Sequence, residues 1–312
     1  MTALRCSLPR EEFDEKRVAD SIKELQREFS GNSFHLHTYM GVYEIRDRDE
    51  AVSIMVDKAN IAADTIKNNY DCCVAYYDEH LLEISIEQRR LLGEFEPALQ
   101  NDEFVMYLQP QVKRDGAAKG AEALVRWVHP SRGILTPYAF IDILENAGLI
   151  YKLDLYIWEK AAQKLAEWKE KGYGSYHISV NISTKDFYII DIYETFTGLI
   201  NKYGIAASNL HLEITETTLM TDFEKNMNII HKLQGVGFRV EIDDFGSGYS
   251  SLNMLKDISA DVLKIDMGFL RKSENEVKGQ DILESIITLA GKIGMDVITE
   301  GVETKSSLIC SQ

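Results

Sequence analysis

Short apolar runs that end in polar residues recur along the chain from about residue 100 onward. We predict that these runs are β-strands: FVMYLQP (104–110), EALVRW (122–127), HISVNIS (177–183), LHLEIT (210–215), FRVEIDD (238–244), VLKID (262–266) and DVITE (296–300). Stretches with helical periodicity lie between them, over 150–171, 191–203, 223–234 and 278–293. Alternating strands and helices predict an α/β fold, with a parallel sheet covered by helices. The spacing is typical of a TIM-like (β/α)8 barrel.

The first 98 residues have a different rhythm. Apolar periodicity predicts helices over 13–29, from Asp49 onward and over 80–99, with strands at 34–45 and 72–78. No Gly/Ser-rich tract separates this segment from the barrel, and the join near 88–103 has a helical pattern. We therefore predict two stiffly coupled domains, a small α/β segment over 1–98 and a barrel domain over 99–312.

Polar residues stand near the carboxyl ends of the predicted barrel strands, where the functional residues of a parallel barrel lie. They are Glu122, Asn181, Glu213, Asp243, Asp244, Lys264 and Glu300. Most intervals between them match one or two strand–helix units, so successive strands would present them to one centre. Taken singly, each acid is better explained as a helix cap or an ion-pair partner, Asn181 as a turn residue and Lys264 as the partner of an acid. The complete set favours a shared site.

The residue types of this set indicate metal chemistry. Buried carboxylates cost several kcal/mol unless they are paired or metal-bound, and oxygen ligands select Mg²⁺ or Mn²⁺ over zinc. The adjacent Asp243 and Asp244 could serve two ions about 3.5–4 Å apart, the arrangement used for phosphodiester hydrolysis. Lys264 could stabilise an oxyanion or orient the attacking water. The loop 243–252 could close over a phosphate.

The net charge limits the partners that we expect. Lys and Arg number 34 against 50 Asp and Glu, which gives −16. This excess argues against binding a DNA or RNA polymer and against docking on an anionic membrane. Two dications in the acidic centre would create a locally positive site. The charge is therefore compatible with metal-mediated recognition of a small phosphate-bearing ligand.

Cysteine usage and hydropathy predict the compartment. The four cysteines, Cys6, Cys72, Cys73 and Cys310, have no CxxC spacing, so neither a disulfide framework nor a thiolate zinc site is expected. Reduced thiols are typical of a cytoplasmic protein. No apolar run approaches ~18 residues and the N-terminus lacks a signal-peptide core, so we expect no membrane insertion within this chain.

Residues 122–127, EALVRW, contain the signature of the EAL domain, the bacterial phosphodiesterases that hydrolyse cyclic di-GMP. The motifs YLQPQV, SVNIS, LEITE, EIDDFGSGYSSL, LKID and TEGVET follow in the order and spacing of that family. The chain therefore resembles the family over about 100–305. The resemblance implies a modified TIM barrel with one antiparallel strand. It also implies metal-dependent hydrolysis of cyclic di-GMP to linear pGpG in bacterial second-messenger signalling, and a homodimer formed through barrel helices.

The resemblance also implies roles for individual residues. The expected metal ligands are Glu122, Asn181, Glu213 and Asp243 for one ion, with Asp243 bridging to a second ion that Asp244 also holds. The expected catalytic residues are Lys264 at the nucleophilic water, Glu300 in the metal and water network, Glu216 as the anchor of the 243–252 loop, and Glu303 in support. The expected substrate contacts are Gln109, Arg126 (to a phosphate), Asp244, Ser247 and Gly248.

The N-terminal segment resembles the C-terminal half of a GGDEF, or diguanylate cyclase-like, domain through fewer residues. The similarity rests on the strand at 34–45, the helix from Asp49 and the run CCVAYYDE from Cys72. No GGDEF loop occurs in the chain, so we expect a partial, degenerate segment without cyclase activity. An unrelated α/β cap or linker is the alternative.

The C-terminal end departs from the family pattern. The family's eighth strand follows the TEGVET motif and brings a glutamine to the site, whereas this chain stops at Gln312. We therefore expect a truncated barrel with an unpaired edge, covered by the N-terminal segment or by a dimer partner. Two other functions remain open: a non-catalytic cyclic di-GMP receptor or scaffold, and an unrelated Mg²⁺-dependent TIM-barrel enzyme.

Overall fold

A computed structural model describes residues 9–29, 38–67, 72–113, 115–243, 245, 258–266 and 276–300. The chain divides into two compact units, Met1–Glu94 and Phe95–Gln312. The division lies within one long helix, α3, which runs from Glu79 to Gln100.

The first unit contains two short strands and the helices around them. Its elements are a 3-10 turn at Arg10–Glu12, α1 (Glu15–Phe29), β1 (Met40–Val42), α2 (Val52–Thr65), β2 (Val74–Tyr76) and the first part of α3. β1 and β2 pair in parallel. Helix α2 lies so close to β1 that a Cβ on Gly41 would stand 1.8 Å from the carbonyl oxygen of Ala59. The strand predicted over 34–45 is limited to β1 in the described residues, and 34–37 lie outside them.

The second unit alternates strands and helices. Its strands are β3 (Phe104–Val112), β4 (Ala118–His129), β5 (Gly133–Leu135), β6 (His177–Ile182), β7 (Leu210–Thr215), β8 (Arg239–Asp243), β9 (Val262–Asp266) and β10 (Asp296–Glu300). Its helices are α4 (Ile141–Ala147), α5 (Ile150–Glu170), α6 (Asp186–Ile189), α7 (Ile192–Tyr203), α8 (Glu216–Thr221), α9 (Phe223–Val236) and α10 (Glu276–Lys292), with 3-10 turns at Pro137–Ala139 and Ala207–Asn209. Among the described residues, no helix combines the length and the apolar character that crossing a bilayer would need.

The strands form one curled sheet in the order β10-β9-β8-β7-β6-β4-β3, with β5 paired to β4. Neighbours from β4 through β6 to β10 are parallel, whereas β3 runs antiparallel to β4. These findings confirm the predicted α/β class and the TIM-like arrangement with one reversed strand. Within the described part of the chain, β3 and β10 are the two edges of this sheet.

The central strands are apolar on one face and polar on the other. Their apolar residues are almost fully buried: Ile178, Val180, Ile182, Leu210, Leu212, Ile214, Val240 and Ile242. Helix α5 contributes Leu153, Ile157 and Leu165 to the core. Each such side chain stabilises the fold by about 1.5–3 kcal/mol through burial. Because side chains alternate along a strand, the residues between them share the opposite face, which we call the inner face.

A layer of polar side chains lies near the amino ends of β6 and β7 on the inner face. We call Gln111, His177, His211 and Glu241 the polar floor. The two imidazoles stack with ring centroids 3.8 Å apart and planes 2° from parallel. His211 Nδ1 lies 2.5 Å from Glu241 Oε1, and His177 Nε2 lies 2.7 Å from Gln111 Oε1. Imidazole lone pairs lie in the ring plane, so stacked rings direct them along parallel lines rather than at one ion. We therefore interpret the polar floor as packing.

The protonation states of the polar floor follow from its burial. Burial, helped by the neighbouring His211, lowers the pKa of His177 to about 3, so this ring is neutral at physiological pH. Burial alone would raise the pKa of Glu241, but the hydrogen bond and charge of His211 outweigh it and lower that pKa. The polar floor therefore keeps Glu241 ionised beside His211.

Gly120 is the neighbour of His177 in the sheet, and its lack of a side chain makes room for the ring. A Cβ at position 120 would lie 2.5 Å from two atoms of the imidazole. The ring cannot retreat, because it is stacked on His211. We expect Gly120→Ala to destabilise the protein by about 1–3 kcal/mol, the usual cost of overpacking. Chemical denaturation measures this loss of stability. Gly198→Ala on α7 is the control, because nothing lies within 4 Å of a Cβ at position 198. Equal midpoints for Gly120→Ala and wild type would contradict this packing.

Candidate functional site

Lys264 on β9 lies among four carboxylates, two from within β4 and β7 and two from the carboxyl ends of β8 and β10. Its Nζ is 2.9 Å from Glu122 Oε2, 2.7 Å from Glu300 Oε1 and 3.5 Å from Asp243 Oδ1, and it also contacts Glu213 Oε1. We call these five residues the carboxylate–lysine centre. Five residues that the sequence predicted to share a site therefore do lie together.

Strand register explains how residues so far apart in the sequence meet. Asn181 on β6 is directly opposite Glu213 on β7, and Gln109 on β3 is opposite Glu122 on β4. Parallel strands that are joined by helices all end at the same edge of the sheet. The inner face therefore collects one or two polar residues from every strand.

Burial gives the carboxylate–lysine centre its electrostatic character. Lys264 and Glu213 are 1% and 0% exposed. Burial alone would lower the pKa of Lys264, but the charges of Glu213, Glu122 and Asp243 outweigh it and raise that pKa. Burial raises the pKa of Glu213 well above its ordinary value, and it also raises the pKa of Glu300, in both cases against the opposing charge of Lys264. Lys264 is therefore an ammonium ion at any physiological pH.

The carboxylate–lysine centre is suited to additional cations. Four carboxylates against one ammonium leave an excess of three negative charges when all are ionised. Carboxylate oxygens of Glu122, Glu213 and Glu300 lie within 4.8 Å of one another, close enough to share an ion. Glu213 Oε2 is buried without a hydrogen-bond donor among the described residues. An oxygen-only donor set with an orphaned carboxylate oxygen fits a hard divalent cation.

The predicted substrate contacts Gln109 and Arg126 lie on β3 and β4, on the same face as Glu122. Gln109 is exposed. The guanidinium of Arg126 lies 5.7 Å from the ring centroid of Tyr107, and Arg126 Nη1 donates to the carbonyl of Val125 at 2.8 Å. The remaining guanidinium donors suit a phosphate.

The other predicted site residues divide into two groups. Asn181 is exposed at the end of β6, and its carbonyl oxygen accepts a hydrogen bond from Trp158 Nε1 at 2.9 Å. Glu216 is half-buried and begins α8, directly after β7. Asp244, Ser247, Gly248 and Glu303 lie outside the described residues, so their roles stay predictions.

Sequence reasoning missed two groups of polar residues near the site. The polar floor had a usable signal, because His177, His211 and Glu241 recur at the same strand–helix intervals as the predicted ligands. Asp154 and Asp186 had none, because one lies on α5 and the other begins α6. The near-helical spacing of Tyr151, Tyr156 and Trp158 predicts only core positions, but Tyr151 is half-exposed. Trp158 is indeed buried, but Tyr156 is half-exposed and donates to Asp102 at 2.7 Å.

Comparison with known sequences identifies relatives of the chain. The model of the EAL domain matches residues 93–309. The bifunctional diguanylate cyclase/cyclic di-GMP phosphodiesterase MucR of Pseudomonas aeruginosa is 32% identical over 246 residues, which are 78% of this chain and 35% of MucR. The signaling protein YkoW of Bacillus subtilis is 35% identical over 222 residues, 70% of this chain and 27% of YkoW. The chain spans less than half the length of these curated relatives.

Solved structures share the same fold. The MucR phosphodiesterase in complex with c-di-GMP matches with a TM-score of 0.67 and 32% identity, covering 71% of this chain and 90% of that one. The EAL enzyme Bd1971 in its cGMP-bound form matches with a TM-score of 0.66 and 30% identity, covering 74% and 64%. The family match spans most of the chain and includes every residue of the carboxylate–lysine centre. The reversed strand, the shared strand-end site and this match have one explanation: the chain belongs to the EAL domain family.

Proposed function

We propose that this protein hydrolyses cyclic di-GMP to linear pGpG in a metal-dependent reaction of bacterial second-messenger signalling. The observation that carries the proposal is the carboxylate–lysine centre, to which β4 and β7 to β10 each contribute one side chain. The phosphodiesterase activity printed for the relative MucR supports the same reaction class. In this reaction the water oxygen joins phosphorus, one P–O3′ bond breaks, and a proton goes to the leaving O3′.

Two Mg²⁺ or Mn²⁺ ions are the cofactors in this proposal. Glu122, Asn181, Glu213 and Asp243 would hold one ion, and Asp243 with Asp244 the other. When bound, such ions stabilise the charge on the phosphoryl oxygens. The excess negative charge of the carboxylate–lysine centre and the orphaned Glu213 Oε2 support this assignment.

Lys264 acts as a hydrogen-bond donor in this site rather than as a base. Its raised pKa keeps the ammonium charged, so Nζ can donate a hydrogen bond to the attacking water or to a developing oxyanion. Glu300, 2.7 Å from Nζ and the most exposed acid of the centre, completes the water network. Glu216 and Glu303 would support the loop 243–252, whose Ser247 and Gly248 would contact the substrate.

Gln109 and Arg126 would bind the dinucleotide beside this centre. Arginine is suited to a phosphate because its planar fork donates two parallel hydrogen bonds. The face of Tyr107 restricts the guanidinium of Arg126, which reduces the entropy lost when a phosphate binds. The c-di-GMP complex of the MucR phosphodiesterase supports this ligand.

Three wider features of the protein also belong to the proposal. The first unit, with its parallel β1–β2 pair and α2, would be the partial, degenerate GGDEF-like segment. The protein would act in the cytoplasm and as a homodimer. Neither DNA nor RNA is an expected partner, because the net charge is −16.

One assay tests the function. Cyclic di-GMP is incubated with the protein, with and without Mn²⁺, and pGpG is quantified for wild type, Glu122→Ala and the exposed control Glu224→Ala on α9. We expect Mn²⁺-dependent turnover that Glu122→Ala lowers at least about 10³-fold, because about 4 kcal/mol of charge stabilisation is lost. Glu224→Ala should match wild type. Saturable binding without turnover in any variant would contradict the enzyme and favour a non-catalytic receptor.

A further inference from the structure

Helix α5 directs two side chains at the loop that follows β6. Asp154 and Trp158 are four residues apart and therefore lie on the same face of the helix. Trp158 is 1% exposed, and its indole N–H donates to the carbonyl oxygen of Asn181 at 2.9 Å. This helix therefore holds the backbone of the one amide among the proposed metal ligands.

The loop after β6 is closed by a reciprocal pair of hydrogen bonds. The Ser183 N–H donates to Asp186 Oδ2 at 2.8 Å, and the Asp186 N–H donates to Ser183 Oγ at 3.3 Å. Asp186 is completely buried. Its second oxygen, Oδ1, is buried without a hydrogen-bond partner among the described residues. A buried carboxylate oxygen needs a donor, and a protonated carboxyl group is one that could supply it.

A protonated Asp154 carboxyl group would supply that donor. Its side chain is hydrogen-bonded to Asp186 and to Ser183. Two carboxyl groups can share a hydrogen bond only when one of them keeps its proton. Burial, reinforced by Asp186 and Glu145, raises the pKa of Asp154 well above its ordinary value. Burial also raises the pKa of Asp186, but the hydrogen bonds from Ser183 and Asp154 oppose that rise, so Asp154 keeps the proton.

The same loop is tied to the first turn of α8, which directly follows β7. Thr184 Oγ1 and Thr218 Oγ1 share a hydrogen bond of 2.7 Å, and Thr218 Oγ1 lies 2.9 Å from Thr215 Oγ1. Thr215 ends the strand that carries Glu213. A shift of the β6 loop would therefore reach two strands of the site.

We propose that Asp154, hydrogen-bonded to Asp186, and Trp158 are positioning residues that fix Asn181 beside Glu213. The pair acts from outside the sheet and touches neither the substrate nor the reacting atoms. Its role as a support of a metal ligand rests on the proposed function, whereas its hold on the loop does not. Small displacements are sufficient, since a shift of about 1 Å in a catalytic group can cost ~10²-fold in rate.

Asparagine and alanine at position 154 separate positioning from simple packing. Asparagine keeps an N–H donor for Asp186 Oδ1, whereas alanine removes it. We expect Asp154→Ala to weaken Mn²⁺ binding of the full chain by about 10-fold in calorimetry, the size of outer-shell effects on metal sites. In the absence of metal, the Ser183 amide hydrogen should exchange with solvent at least about 10-fold faster in Asp154→Ala than in wild type. Asp154→Asn should stay within about threefold of wild type in both measurements, as should Asp142→Ala, an exposed aspartate on α4.

A second variant covers the case in which Asp154→Ala does not fold. Trp158→Phe keeps the buried ring but loses the N–H to Asn181, and we expect it to weaken Mn²⁺ binding by about 10-fold, the lower end of outer-shell effects. Unchanged Mn²⁺ affinity in folded Asp154→Ala and Trp158→Phe would overturn the proposal, as would an Asp154→Asn variant as impaired as Asp154→Ala. Neither Mn²⁺ affinity nor amide exchange requires hydrolysis, so both measurements test the positioning role even if the protein has no turnover.

Discussion

Replacing Lys264 with methionine is expected to destabilise the metal-free protein by about 3–5 kcal/mol, the size of effect seen when one partner of a buried ion pair is removed. Methionine preserves much of the apolar stem but leaves Glu122, Glu213, Asp243 and Glu300 without their shared ammonium. Chemical denaturation in the presence of a chelator measures the effect. The control is Lys171→Met, which removes an exposed ion pair with Glu167 and should leave the stability close to that of wild type.

The stability difference between Lys264→Met and wild type should change with pH in a defined direction. In wild type the pKa of Lys264 is raised, so the ammonium is fully charged below the ordinary lysine value of 10.5 and loses its proton only as the pH rises through the raised pKa. Without it, the crowded carboxylates hold protons more tightly in the folded than in the unfolded state. The variant should therefore lose stability relative to wild type as pH rises through the carboxylate range, and recover it in acid. A deficit that is the same at acidic and neutral pH would contradict this explanation.

Divalent cations should also restore part of the stability that Lys264→Met loses. A ligand that binds only the folded state stabilises it by mass action. Because the ammonium no longer opposes cations in the centre, Mn²⁺ should raise the unfolding midpoint of Lys264→Met more than that of wild type. An equal Mn²⁺ response in both proteins would mean that Lys264 and the cations do not share these carboxylates.

Much of the barrel fold could be predicted because its strands are short apolar runs between helices. The bounds of β7, β9 and β10 coincide with the predicted runs, since each run ends where the polar residues begin. β4 begins earlier than predicted, at Ala118, because small residues before Glu122 carry no strand signal but pair well with β3. The predicted strand at 34–45 yielded only Met40–Val42 in the described residues, since an isolated two-stranded pair sustains few ladder positions.

The sequence predicted which residues belong to the site, but it did not predict how their side chains are arranged. The regular sequence intervals between successive strands predicted a shared site for Glu122, Glu213, Asp243, Lys264 and Glu300, because parallel strands end at one edge of the sheet. It could not place Lys264 in the middle of four acids, because which side chain reaches the centre depends on stagger between strands. The pairing of Asp154 with Asp186 was also unpredictable. It depends on how α5 packs against the β6 loop, which no local pattern encodes.

Replacing Glu213 with glutamine is expected to raise the stability of the metal-free protein while it removes activity. Glu213 is fully buried, and its Oε2 has no donor among the described residues. An unsatisfied buried polar atom costs about 1–3 kcal/mol, and glutamine can place an amide group there that donates to the neighbouring acids. Lys264 would still have Glu122, Asp243 and Glu300 as partners. Turnover should fall by at least about 10³-fold, since a charged oxygen ligand becomes a neutral one.

The gain in stability should depend on pH in a defined direction. Burial raises the pKa of Glu213 above its ordinary value of 4.5, so in wild type the residue favours folding in acid, and that contribution is lost as pH rises through the folded-state pKa. Glutamine does not titrate, so Glu213→Gln should gain on wild type from about pH 4.5 upward and lose the advantage in strong acid. Denaturation midpoints between pH 4 and 8, in chelator, measure the difference, with Glu224→Gln on α9 as control. A variant that is less stable than wild type at pH 8 would show that Glu213 is retained for folding rather than for cation binding.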